Sequence, residues 1–97
     1  PGSFKLQKSV TIWSGQNKNA EPAYMVLVDY SALNGFGGAV RGCHLVSYYQ
    51  AKDGQAKWNR KYGRQTLELS TCRANLSASQ KRELAKIFIK PNGFIAN

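Results

Sequence analysis

Residues 23–32 read Ala23-Tyr24-Met25-Val26-Leu27-Val28-Asp29-Tyr30-Ser31-Ala32. Tyr24, Val26, Val28 and Tyr30 share one parity, and Met25 and Leu27 share the other. Apolar residues on both faces of a period-two segment predict a central strand covered on both sides. Asp29 interrupts this run, and its expected role is to bond an arginine or the backbone.

Working outward, residues 34–38, Asn34-Gly35-Phe36-Gly37-Gly38, hold three glycines within four positions. They predict a tight turn or bulge, because glycine reaches positive φ without a steric cost. Neither P-loop spacing nor a following helix is present, so a phosphate loop is not indicated. Residues 39–50 predict the next strand, with Gly42 as a bulge position. Asp53-Gly54 marks a hairpin turn. Upstream, Phe4, Leu6, Val10 and Ile12 alternate with Lys5, Gln7, Ser9 and Thr11, which predicts a half-buried strand. A polar connection over residues 14–21 ends at Pro22. Residues 65–72 alternate again and predict a strand ending at Cys72.

The C-terminal part changes period. Ser77 with Gln80 three residues later forms a capping box. Leu84, Ile87 and Phe88 then fall at i, i+3 and i+4, which predicts a helix with one apolar stripe. Pro91-Asn92-Gly93 stops it, and residues 94–96 form an apolar tail fit to dock as a short strand. The expected fold is α+β: an antiparallel sheet of four or five strands with one C-terminal helix packed on a face. Pro1-Gly2-Ser3 reads as a cloning scar, and residues 4–97 as a single α+β domain.

The 97 residues suit one domain. The hydrophobic fraction of 42% and charged fraction of 20% are those of a globular chain, so whole-chain disorder is not expected. No apolar run is long enough to cross a membrane as a helix, and no signal peptide is recognisable. Fourteen Lys and Arg against five Asp and Glu give a net charge of +9. Such a field favours polyanions, whether nucleic acid, anionic membrane, acidic glycan or acidic protein, and equally serves solubility.

Cys43 and Cys72 are the two cysteines. They form a candidate disulfide, whose loop closure is worth roughly 3–4 kcal/mol in the chain-entropy model; two buried thiols are the alternative. With the single His44 they offer three ligands and no paired spacing, so neither a metal site nor a cofactor is expected. His44 is the candidate acid or base, with Glu68 or Arg41 as a partner in an RNase-like reaction. Its neighbour Cys43 points to the other face of a strand, which opposes a Cys/His nucleophile. Lys57, Trp58, Arg60, Lys61, Tyr62 and Arg64 combine cations and rings within eight residues, the pattern of an anion- or partner-binding segment.

Residues 28–38, and within them Ala32, Asn34, Phe36, Gly37 and Gly38, resemble a recurring segment of small exported bacterial domains, many of them lipoproteins. There a strand ends in an Ala, Asn, aromatic, Gly, Gly series and a second strand follows. The resemblance covers about a tenth of this chain closely, and the upstream helical segment common in such domains has no counterpart here. It implies a periplasmic or extracellular location, with a lipid anchor upstream of Phe4 left open, and a non-enzymatic role. The expected function is binding to a protein or an anionic envelope component. The competing expectation is a basic nucleic-acid-binding module or a small metal-independent RNase-type toxin domain.

Overall fold

The computed structural model describes residues 4–58 and 63–95. The scar reading at residues 1–3 and the site candidates Arg60, Lys61 and Tyr62 lie outside them. Three long strands, β1 (Lys5–Gln16), β2 (Pro22–Leu33) and β3 (Ala39–Gln50), pair antiparallel in chain order. The far edge of β3 is shared by two short strands, β4 (Ala56–Trp58) and β5 (Arg64–Leu67). Two short helices follow, α1 (Leu69–Arg73) and α2 (Ala78–Ala85). The molecule is an α+β fold with a five-stranded antiparallel sheet.

The turns behave as their residues dictate. Asn34 ties the β2–β3 connection, its N–H donating to Gly38 O at 2.9 Å and its Oδ1 accepting from the N–H groups of Phe36 and Gly38. Gly37 takes φ +80° there and Gly54 takes φ +86° in the β3–β4 turn, both in the region that favours glycine. At the β1–β2 connection a buried Asn17 organises the chain. Its Oδ1 accepts from the N–H groups of Asn19 and Glu21, and its Nδ2 donates to Glu21 Oε1. These bonds satisfy a buried amide and hold Ala20 at φ 61°.

The core lies on one side of the sheet. Ala23, Met25 and Leu27 of β2, and Cys43 and Leu45 of β3, pack with Cys72, Ala85, Phe88 and Ile95. Asp29 shares that side and is buried, and Arg41 Nη2 donates to both its carboxylate oxygens at 2.9 and 3.0 Å. The charge is thus paired, as a buried carboxylate requires.

Four expectations from the sequence are corrected. Only one face of β2 is covered by the helices; Tyr24, Val26, Val28 and Tyr30 line the other face and stay half-exposed. The strand predicted through Cys72 ends at Leu67, and Cys72 sits in α1, where five residues turn back across β2 and β3. Gly42 makes no bulge, since the β2–β3 register runs unbroken from Ala23↔Tyr49 to Leu33↔Ala39. The bulges fall in β1 instead, between Leu6 and Lys8 and between Thr11 and Trp13. Each extra residue inverts the alternation. Leu6 therefore opposes Tyr30 on the uncovered face while Val10 opposes Leu27 on the core face.

The capping box at α2 is present, with Gln80 N–H on Ser77 Oγ and Ser77 N–H on Gln80 Oε1. The helix stops at Ala85, so Phe88 is buried from the following turn and Ile87 is exposed. Ile95 docks by bridges to Asn17 and Ile89.

Cys43 and Cys72 form a disulfide, with Cα atoms 5.8 Å apart and both residues buried. Replacing both by serine should lower the unfolding free energy in urea by about 2–5 kcal/mol. An unchanged midpoint and slope would show that the bond adds nothing to this core.

Candidate functional site

The uncovered face of the sheet gathers most of the chemistry that the core does not use. Register fixes its membership. Tyr30 opposes Leu6 and Gly42; Val28 opposes Ser9 and His44; Val26 opposes Thr11 and Val46; Tyr24 opposes Ser14 and Tyr48. Trp58 opposes Tyr48, Thr66 opposes His44, and Arg64 opposes Val46. Cross-strand partners share a face, so these residues form one continuous surface.

The rings are ordered across the strands. Phe4 stacks on Tyr30 with centroids 5.2 Å apart, and Tyr30 stacks on His44 at 5.0 Å. At the other end Tyr24 stacks on Tyr48 at 5.1 Å. Gly42 explains the first row. A β-carbon there would stand 2.5 Å from the Tyr30 ring, so the absent side chain is the space in which that ring leans across β3. Two shallow grooves run between the rings, of about 360 and 480 Å³, and share Val28, Val46 and Trp58. Trp58 is 61% exposed on this surface.

His44 sits in the first groove with both ring nitrogens engaged. Nε2 is 2.9 Å from the Tyr30 hydroxyl and Nδ1 is 3.4 Å from Thr66 Oγ1. Burial among its neighbours, and secondly the nearby Arg64 charge, hold its pKa below the ordinary 6.5. A neutral imidazole between two hydroxyls is suited to packing and hydrogen bonding. Of its expected partners, Arg41 is committed to Asp29 on the other side of the sheet, and Glu68 forms no hydrogen bond with it.

The binding segment predicted over residues 57–64 is divided by the structure. Trp58 and Arg64 lie on the uncovered face, whereas register with Tyr49 puts Lys57 on the opposite parity, its ammonium 3.8 Å from Asp53. The turn motif of residues 34–38 stands at the end of the β2–β3 hairpin, away from the grooves, with Phe36 fully exposed at its tip. Among the described residues no cluster of three metal-ligating side chains occurs.

No family model matches the chain, and no curated protein or solved structure matches it either. The physical reading of this face therefore carries the functional argument. Missed from the sequence were the roles of Phe4, Tyr24, Tyr30 and Tyr48. The shared parity of Tyr24 and Tyr30 was visible in β2, but their exposure depends on which side the helices choose, and Phe4 joins them only through its stacking on Tyr30 and Tyr48 only through register.

Two outcomes follow. Gly42→Ala should displace the Tyr30 ring, break its bond to His44 and raise the His44 pKa toward 6.5, read from the imidazole proton shifts in an NMR titration. An unmoved titration would mean that Gly42 does not seat the ring. The second concerns stability. The folded His44 pKa lies below the unfolded one, so on acidification the unfolded chain takes the proton first. Stability should therefore rise with pH up to about 6.5 and then level, and fall as pH drops below that point. His44→Gln should flatten this slope in urea unfolding measured across the range. A slope unchanged by the substitution would assign it to other groups.

Proposed function

We propose that this chain is a non-enzymatic domain of the bacterial periplasm or cell surface that works by contact with another protein. The uncovered sheet face is its contact surface. The observation that carries this reading is the composition of that face: Tyr, Trp, Phe and one Arg, with no carboxylate at its strand positions. Aromatic residues and Arg are enriched in protein interfaces, and Lys, Asp and Glu are depleted.

The location rests on two supports. A buried disulfide persists in oxidising compartments, and the segment at residues 28–38 resembles exported domains. No described helix is long and apolar enough to cross a membrane.

An anionic envelope polymer is the weaker partner for this face. Much of the excess positive charge among the described residues lies elsewhere: Lys5 and Lys8 oppose Ser31 and Asp29 on the core-side parity, Arg73 ends α1, and Lys81 and Arg82 belong to α2, while Arg41, Lys57 and Lys86 are paired with carboxylates. A polymer with one charge per unit would meet, among the described residues, only Arg64 and a Lys57 already paired with Asp53.

The test is site-specific photocrosslinking in the exporting cell, with a benzophenone amino acid at Trp58 and, as the control, at Arg82 on α2. The expected result is a protein adduct from position 58 that the control lacks. Equal adducts at both positions, or adducts to nucleic acid or glycan alone, would overturn the reading.

A further inference from the structure

We infer that the protein covering the uncovered face is a second copy of this chain, so that two sheets pack face to face across a two-fold axis. The inference rests on the reading of that face as a protein contact, and names the partner.

The first argument is the layering. The molecule measures 44 × 32 × 18 Å. The short dimension accommodates two layers at roughly 10 Å separation, a sheet and its helices, and no third. Val26 and Val28 therefore form a half-exposed apolar strip along the middle of the face, continued by Val46, which its neighbours already bury. A second sheet is the element that buries such a strip along its whole length, the two stacking with strands within about 30° of each other.

The second argument is charge. Two bodies that each carry +9 can meet only where little of that charge lies. Among the described residues, this face is such a place. Arg64 is the one cation whose register places it on this parity among the described residues, on the short edge strand β5 opposite Val46, and Lys57 lines the second groove while paired with Asp53. An acidic partner would find only Arg64 and the Asp53-paired Lys57 here among the described residues.

The third argument is area. Four strand positions at about 4.8 Å across, and about nine residues at 3.3 Å along, give about 600 Å² per copy. Two copies then bury about 1,200 Å², the lower bound of specific interfaces. The two-fold arrangement is self-complementary, because each ring cluster at one end of the face meets a surface of the same chain.

Sedimentation velocity on the oxidised 97-residue chain tests this directly. The expected result is a concentration-dependent dimer. Val28→Lys, which places a charge in the centre of the strip, and Trp58→Ala, which removes an exposed ring without touching the core, should each weaken it by at least about tenfold. Phe36→Ala, at the hairpin tip, should leave it unchanged. A chain that stays monomeric up to about 1 mM overturns the proposal, and so does a dimer indifferent to both substitutions, which would place the contact at the free edge of β1. In either case the protein-contact reading stands or falls separately, by whether position 58 crosslinks to a different protein.

Discussion

The covalent bond between Cys43 and Cys72 joins the middle of the sheet to a helix of only five residues. A helix that short has no stability of its own in water. The bond fixes where the chain turns back after β5, and with it which side of the sheet receives Leu76, Leu84, Phe88 and Ile95. Cys43 lies on the same parity of β3 as Leu45 and on the same side as Met25 and Leu27. Once Cys72 is tied there, the helical layer belongs to that side and the tyrosine parity is left bare.

The exposure of the other face follows from this choice, not from weak hydrophobicity. β2 is apolar on both parities, which normally marks a strand buried on both sides. Here about half of that apolar surface is left half-exposed in a chain small enough that its one-sided core must stabilise it. The charges agree with this division. The buried Asp29 with Arg41, and the exposed pair at Glu83, lie off the bare face, and the pair at Asp53 borders it through Lys57. What register places there among the described residues is one arginine and a neutral histidine.

The three long strands, the two glycine turns and the capping box were legible because each depends on local chemistry: alternation, positive φ, and a serine answered by a glutamine three residues on. The covered side of β2 was not legible, since both parities of residues 24–30 are apolar and tertiary contacts alone break the tie. Cys72 was misplaced for a related reason. Alternation from Gln65 to Cys72 is equally compatible with four strand residues and a helical turn, and the disulfide decides between them. The bulges in β1 were hidden because an inserted residue leaves composition untouched and only shifts register. Of the candidate site, Trp58, Arg64 and His44 were visible as residue types, whereas the ring row that seats His44 needed the register of three strands.

Several departures from regular strand chemistry converge on that bare face. The bulge after Leu6 moves its side chain to the tyrosine side, next to Tyr30. Gly42 weakens a central strand, since a glycine interior to a sheet costs conformational entropy and packs nothing. The Tyr30 ring fills the space it leaves and reaches His44. Burial and the nearby Arg64 lower the His44 pKa, so His44 adds no charge to the face near neutral pH. A surface meant only for solvent would need none of these arrangements. Lysine or glutamate at the same positions would hydrate the sheet and block edge or face association at lower cost. The sequence instead spends a glycine and a bulge to lay rings flat and uncharged on the outside, which is the property a contact surface requires.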